Sequence, residues 1–194
     1  MTEKGRKNVP NHVHWIIFLA SLFSLLACAR RIDEELRRAA IEGKVYAVED
    51  LLGRGANVNM RKGGWTVLMF AAREGHAEIA KILLDNGADV NASGKEGWEW
   101  GGATALIIAA EKGHTEIIKI FLARGAKVNG KNNHGNTALM YAAEFGHPEV
   151  VKLLLASGAD VTPKDKDGET ALVTATRKGY TDIVQLLKNA GAKE

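Results

Sequence analysis

Along this chain a threonine, a leucine two positions later and a pair of small residues lead to a Gly-His or Gly-Tyr step. A leucine-rich apolar stretch ending in Gly-Ala then follows. Thr66, Thr104, Thr137 and Thr170 open the pattern, and Gly75-His76, Gly113-His114, Gly146-His147 and Gly179-Tyr180 stand at its middle. Within one copy Leu106, Ala109 and Ala110 fall at i, i+3 and i+4, and beyond the glycine Ile117, Ile120 and Phe121 repeat that spacing. Both stripes have the period of a helix, so each copy predicts two short helices with one apolar face apiece. The landmark threonine is an N-cap for the first helix. The middle glycine permits the tight reversal, and Gly87, Gly125, Gly158 and Gly191 end the second helices as C′ residues. Pro148 at the start of a second helix, and Glu78, Glu116 and Glu149 in that first turn, suit a helix N-terminus.

Gly113, Gly146 and Gly179 are each separated from the next by 33 residues. A fixed period of this length denotes stacked helical units rather than one globular core. Four clear units follow a degenerate first one, with bounds near 32–61, 62–93, 94–131, 132–164 and 165–194. The end units carry polar residues where inner units are apolar. Lys188 stands in the place of Leu84, Leu122 and Leu155, and Asp50 in that of Ile82, Ile120 and Leu153. Terminal repeats need such an outer face, so the array is expected to be capped at both ends.

The order Gly-x-Thr-x-Leu, Ala-Ala, Gly-His, Leu-Leu-x-x-Gly-Ala-x-Val-Asn resembles the ankyrin repeat and covers about residues 32–194. The resemblance implies an all-α ankyrin-repeat solenoid with β-turn or hairpin tips, and a non-enzymatic role in protein binding. One departure stands out. The family's Thr-Pro-Leu-His tetrapeptide reads Thr66-Val67-Leu68-Met69, Thr104-Ala105-Leu106-Ile107, Thr137-Ala138-Leu139-Met140 and Thr170-Ala171-Leu172-Val173 here. Neither Pro nor His survives, so apolar packing is expected to replace the hydrogen bonds that the histidine usually makes between units. In this family partners contact the turn tips and the exposed side of the first helices. The matching positions are Trp65, Arg73, Glu74, Trp100, Glu111, Lys112, His134, Asn136, Phe145, Arg177 and Lys178.

The interval from Gly75 to Gly113 is 38 residues, five more than the period, and the excess lies between Asn91 and Thr104. Insertions in repeat arrays map to loops, often on the binding face. This one carries Trp98 and Trp100, half of the chain's four tryptophans. It reads either as an interface tip or as a seal over the neighbouring turn.

The first 29 residues form a separate segment. Lys4, Arg6 and Lys7 precede an uncharged run from Trp15 to Ala29, the pattern of a secretory signal and short for a spanning helix. Leu25-Leu26-Ala27-Cys28 resembles a bacterial lipobox, with Cys28, the chain's one cysteine, as the lipidated residue. Leu26 is bulkier than that position usually holds. Ala27-Cys28-Ala29 alternatively offers an A-x-A cleavage site that would release a soluble protein. Arg30 and Arg31 after the apolar run fit a retained anchor. The expected localisation is therefore a bacterial envelope, lipid-anchored and facing the periplasm or exterior, with a secreted effector as the alternative. Some exported bacterial ankyrin proteins that this chain resembles assist periplasmic redox enzymes, so the resemblance implies a periplasmic enzyme as a candidate partner.

Charge narrows the partners. The formal net charge is +3, and the leader supplies most of it, leaving 23 basic and 22 acidic residues beyond Cys28. That balance gives no support for nucleic acid. His76, His114 and His147 recur with the period, and neighbours one repeat apart cannot converge on a metal at about 2 Å. They read as start-of-helix residues bonding locally. Ser93 and Ser157 are the only serines beyond the leader, a poor supply of nucleophiles. No catalytic group, cofactor, metal or small-molecule substrate is expected, and the chain reads as a monomer that binds a protein.

Overall fold

The computed structural model describes residues 29–94 and 101–193. The leader through Cys28, and Trp98 and Trp100 of the insertion, lie outside the described residues. Among the described residues five helix pairs follow one another. They are α1 (29–41) with α2 (Val45–Gly53), α3 (Val67–Glu74) with α4 (Ala77–Asp85), α5 (Ala105–Lys112) with α6 (Thr115–Ala123), α7 (Ala138–Glu144) with α8 (Pro148–Ala156), and α9 (Ala171–Lys178) with α10 (Thr181–Asn189). The first helices α3, α5, α7 and α9 pack in one row and the second helices α2, α4, α6, α8 and α10 in another. One continuous core lies between the rows, with Leu68, Leu106, Leu139 and Leu172 almost wholly buried from the first row and Ile79, Ile117, Val150 and Ile183 from the second. No helix among the described residues is long and apolar enough to cross a membrane.

The local chemistry follows the sequence. Thr66, Thr104, Thr137 and Thr170 have extended backbone, and each hydroxyl accepts the N–H three residues on. Met69 and Met140 complete a reciprocal cap: their Sδ atoms accept the Thr66 and Thr137 N–H at 3.4 Å. Met69, Ile107 and Met140, standing where the family has histidine, are buried between units, so apolar packing does replace that residue. Val173 has no following unit packed on it among the described residues and is 40% exposed. At the first tip β1 (Arg61–Lys62) pairs antiparallel with β2 (Trp65–Thr66). Gly63 and Gly64 both sit at positive φ, the two-residue turn that matches strand twist. Later tips keep single bridges, Ser93 with Thr104 and Lys131 with Thr137. The first of these closes the base of the insertion.

The period-locked histidines differ from expectation. They begin the second helices without capping them. Each imidazole instead reaches back one unit. His76 Nε2 meets Ile41 O at 3.0 Å, His114 Nε2 meets Arg73 O at 3.1 Å, and His147 Nε2 meets Glu111 O at 2.7 Å. The rings lie on the reversal glycines of the preceding unit. A Cβ on Gly43, Gly75 or Gly113 would approach an imidazole atom to 2.8 Å or less. The bond is therefore between units, because a first helix ends with free carbonyls that only a neighbour can reach.

Recurring asparagines form a second inter-unit stitch. Asn59 donates to Gly87 O and accepts from Asp89 N. Asn91 does the same with Gly125 O and Lys127 N, and Asn129 with Gly158 O and Asp160 N. A side-chain amide is one donor and one acceptor on a short stem, which suits it to bind both edges of the neighbouring turn.

Candidate functional site

The first-helix row and the tips form the face on which the expected contact residues gather. Two register positions line it. The fourth residue after each landmark threonine gives Phe70, Ile108, Tyr141 and Thr174, and the seventh gives Arg73, Glu111, Glu144 and Arg177. At one end Trp65 and Phe70 pack with ring centroids 5.4 Å apart. Arg37 lies over Phe70 and Arg73 over Trp65, at 5.5 and 5.9 Å from the ring centroids. Cations over aromatic faces fix both partners in place. Arg73 also pairs with Glu74 at 3.6 Å. Toward the other end Tyr141 and Phe145 stack with centroids 6.3 Å apart, and Phe145 is 46% exposed. Arg177 is exposed and bonded to Glu169 at 2.7 Å, and Lys178 is exposed beside it.

His134 is exposed at a tip, and Asn136 is half-buried with its N–H on Asn132 Oδ1 at 2.9 Å. Asn132 itself is buried. Its Oδ1 also accepts the His134 N–H, and its Nδ2 donates to the Tyr141 hydroxyl at 3.1 Å. Burial pushes the Tyr141 phenol above its ordinary value, opposed by the bond from Asn132 and reinforced by the carboxylates of Glu144 and Glu111. The tips are laced together by Arg61 donating to Ser93 O, Asn133 N to Gly101 O, and Lys166 N to His134 O.

One expected contact residue is corrected. Glu111 is not an exposed groove position but is only 6% accessible, and every residue of α5 from Ala105 to Glu111 is buried. Its counterparts Arg73 and Arg177 reach solvent. The difference is chemical. The Glu111 carboxylate is paired with the neighbouring Lys112 ammonium, which meets Oε1 at 2.8 Å, and its charge helps to raise the Tyr141 phenol. The second oxygen, Oε2, is buried with no hydrogen-bond partner.

Sequence reading missed Phe70, Tyr141, Asn132 and Glu144. The available signal was register, since Phe70 and Tyr141 share one position and Arg73 and Glu144 another. Open hollows of about 280 and 490 Å³ lie at the two ends of the stack. The first is at the α1–α2 end, between Ala39, Leu51 and Arg54, and the second beside Val173 and Lys193. Among the described residues no three His, Cys, Asp or Glu side chains are placed to hold a metal.

Stacked helix pairs, inter-unit stitching and a side-chain-lined row of first helices define a repeat solenoid that presents a surface rather than a pocket. The family model for Ankyrin repeats (3 copies) matches residues 36–132, 95–165 and 131–194, and the chain belongs to the ankyrin-repeat family, whose units are protein-interaction modules. Segments of larger proteins are similar to it. The human Ankyrin repeat and KH domain-containing protein 1 is 52% identical over 58 residues, 29% of this chain and 2% of that protein. The Drosophila melanogaster Ankyrin repeat and KH domain-containing protein mask is 49% identical over 59 residues, 30% of this chain and 2% of that protein. The Mus musculus Ankyrin repeat, SAM and basic leucine zipper domain-containing protein 1 is 38% identical over 60 residues, 30% of this chain and 13% of that protein. The chain therefore spans a small fraction of the length of these relatives.

Proposed function

We propose that this chain is a non-enzymatic, monomeric binding module of a bacterial cell envelope, holding one protein partner against its first-helix row and turn tips. The observation that carries the reading is the row itself. Trp65, Phe70, Tyr141 and Phe145 stand with charged neighbours on a face whose backbone is stitched from unit to unit. Aromatic and arginine side chains held this way lose little entropy when a partner arrives, which is the usual character of interface anchors. Lipid on Cys28 would hold the module at the membrane, and maturation that adds more than one acyl chain gives a stable tether. Assistance to a periplasmic enzyme is the role that fits such a placement.

Two measurements test this. Pull-down from envelope extract should recover one protein with wild-type chain and lose it with Arg73→Glu/Phe145→Ala; undiminished recovery refutes the groove reading. Intact mass of the mature N-terminus tests the tether separately. Mass for a diacylglyceryl-modified Cys28 supports it. An unmodified chain starting after Ala29, found in the medium, supports instead the secreted effector to which Ala27-Cys28-Ala29 points.

A further inference from the structure

Two kinds of tie recur between neighbouring units. The imidazole tie joins His76 to Ile41 O, His114 to Arg73 O and His147 to Glu111 O. The asparagine tie joins Asn59, Asn91 and Asn129 to the turns that follow α4, α6 and α8. Among the described residues, the junction between the fourth and fifth units has neither. Tyr180 stands in the histidine position, and its ring takes the same seat: a Cβ on Gly146 would meet its Cζ at 2.8 Å. A phenol has no N–H in the place of Nε2, and the Tyr180 hydroxyl makes no bond to the Glu144 carbonyl. Thr162 stands in the asparagine position. Its hydroxyl donates back to Asp160 Oδ1 at 2.8 Å instead of reaching Gly191 O. Being at an end does not account for the loss. The first unit is equally terminal and keeps both ties to its neighbour, and Asp33 Oδ1 closes it further by accepting the Asn57 N–H at 2.7 Å.

In a stacked array, the ties to the one neighbour decide whether an end unit opens alone or with the rest. We infer that α9 and α10 undock together while the other four units stay stacked, a one-ended opening set by Thr162 and Tyr180. The fourth unit carries Met140 and Leu155 where the fifth presents Val173 and Lys188 to solvent. Opening therefore replaces a partly polar end with an apolar one, and the α9 end of the first-helix row exists only while the pair is docked.

The test is native-state hydrogen exchange of the full chain, read by mass spectrometry on peptides from each helix pair. Amides of α9 and α10 should exchange together and about tenfold or more faster than those of α7, α8 and α2, a factor that the lost bonds supply at ordinary net strength. Thr162→Asn and Tyr180→His write the two ties back into the last junction. Each should slow α9 and α10, and together they should bring the pair close to the rate of α7 and α8, with α3 to α6 unchanged. Conversely, Asn129→Thr/His147→Tyr copies the bare junction one unit inward, and α7 to α10 should then open as one block. Exchange of α9 and α10 in step with α7 and α8 in the wild-type chain, or α2 exchanging faster than α10, overturns the inference. So does a Thr162→Asn/Tyr180→His chain whose last pair exchanges as fast as in the wild type.

Discussion

Two glycines with the same backbone conformation and different surroundings separate the intrinsic cost of a left-handed residue from the cost of disturbing the contact between units. Gly125 sits at φ 79° with nothing within 4 Å of an added Cβ; Gly113 sits at φ 76° with His147 Nδ1 2.7 Å and Cε1 2.8 Å away. An L-residue in that region costs about 1–2 kcal/mol, and stiffening the unfolded chain returns about 0.4–1 kcal/mol. Gly125→Ala should therefore lose about 1 kcal/mol. At Gly113 the ring must also move, breaking the Nε2 bond to Glu111 O at 2.7 Å. Leaving a helix-end carbonyl unpaired in a part-buried site adds about 1–3 kcal/mol, so Gly113→Ala should lose about 2–4 kcal/mol. The assay is urea unfolding followed by circular dichroism, with the slope compared across variants, since repeat arrays can lose cooperativity. His147→Ala in both backgrounds completes the cycle: with the ring gone, the two alanine variants should cost the same. Equal losses from Gly113→Ala and Gly125→Ala in the wild-type background, or an excess that survives His147→Ala, would refute the claim that the imidazole seat binds one unit to the next.

Three further outcomes follow from the packing. Asn91→Ala removes both bonds to the Gly125–Lys127 turn and should cost about 1–3 kcal/mol in urea unfolding, whereas Thr162→Ala, at the same position in the next-to-last unit, should cost under about 0.5 kcal/mol. Ile107→Lys buries a charge at a 1%-exposed site and should cost more than about 3 kcal/mol, while Val173→Lys at the equivalent 40%-exposed site should stay within about 0.5 kcal/mol. Tyr141 should ionise above the ordinary value of 10.0 in a tyrosinate absorbance titration, because burial disfavours the phenolate. Between that value and its raised one the folded chain keeps a proton the unfolded chain has released, so stability intact below pH 10 should fall as pH climbs through the window, and Tyr141→Phe should flatten the fall.

What could be read from the sequence was whatever recurs within one unit. Thr104 caps the helix it precedes, Gly113 reverses the chain that contains it, and Leu106, Ala109 and Ala110 share a face with no knowledge of any neighbour. The relations that escaped join one unit to the next. His147 looks local in sequence, yet its acceptor lies 36 residues back. Asn91 looks like an ordinary turn residue, and its two partners lie beyond the following helix pair. Both recur with the period, so recurrence marked them as structural without revealing the direction of the bond. Met69 and Met140 were legible as apolar substitutes for histidine, but not as sulfur acceptors of the Thr66 and Thr137 N–H. That role depends on a side-chain rotamer that composition does not encode.

The candidate site was harder to read for a related reason. Packing constrains the positions that repeat, and binding uses the positions that do not. The residue seven beyond each landmark threonine is Arg73, Glu111, Glu144 and Arg177 in turn, one backbone environment filled with opposite charges. Nothing in helix formation or stacking demands that order, because Arg73 and Arg177 are exposed on helices built like α5 and α7. If stacking alone had shaped the row, the buried position at Glu111 would favour an apolar residue, since a lone buried carboxylate oxygen opposes folding. Glu111→Leu discriminates between the two pressures. A stability gain, read by urea unfolding, together with loss of partner recovery in pull-down, would mean that the carboxylate is kept for binding at the expense of the fold. A stability loss would mean that the Lys112 pair already repays its burial, and the row would then owe its charge order to folding after all.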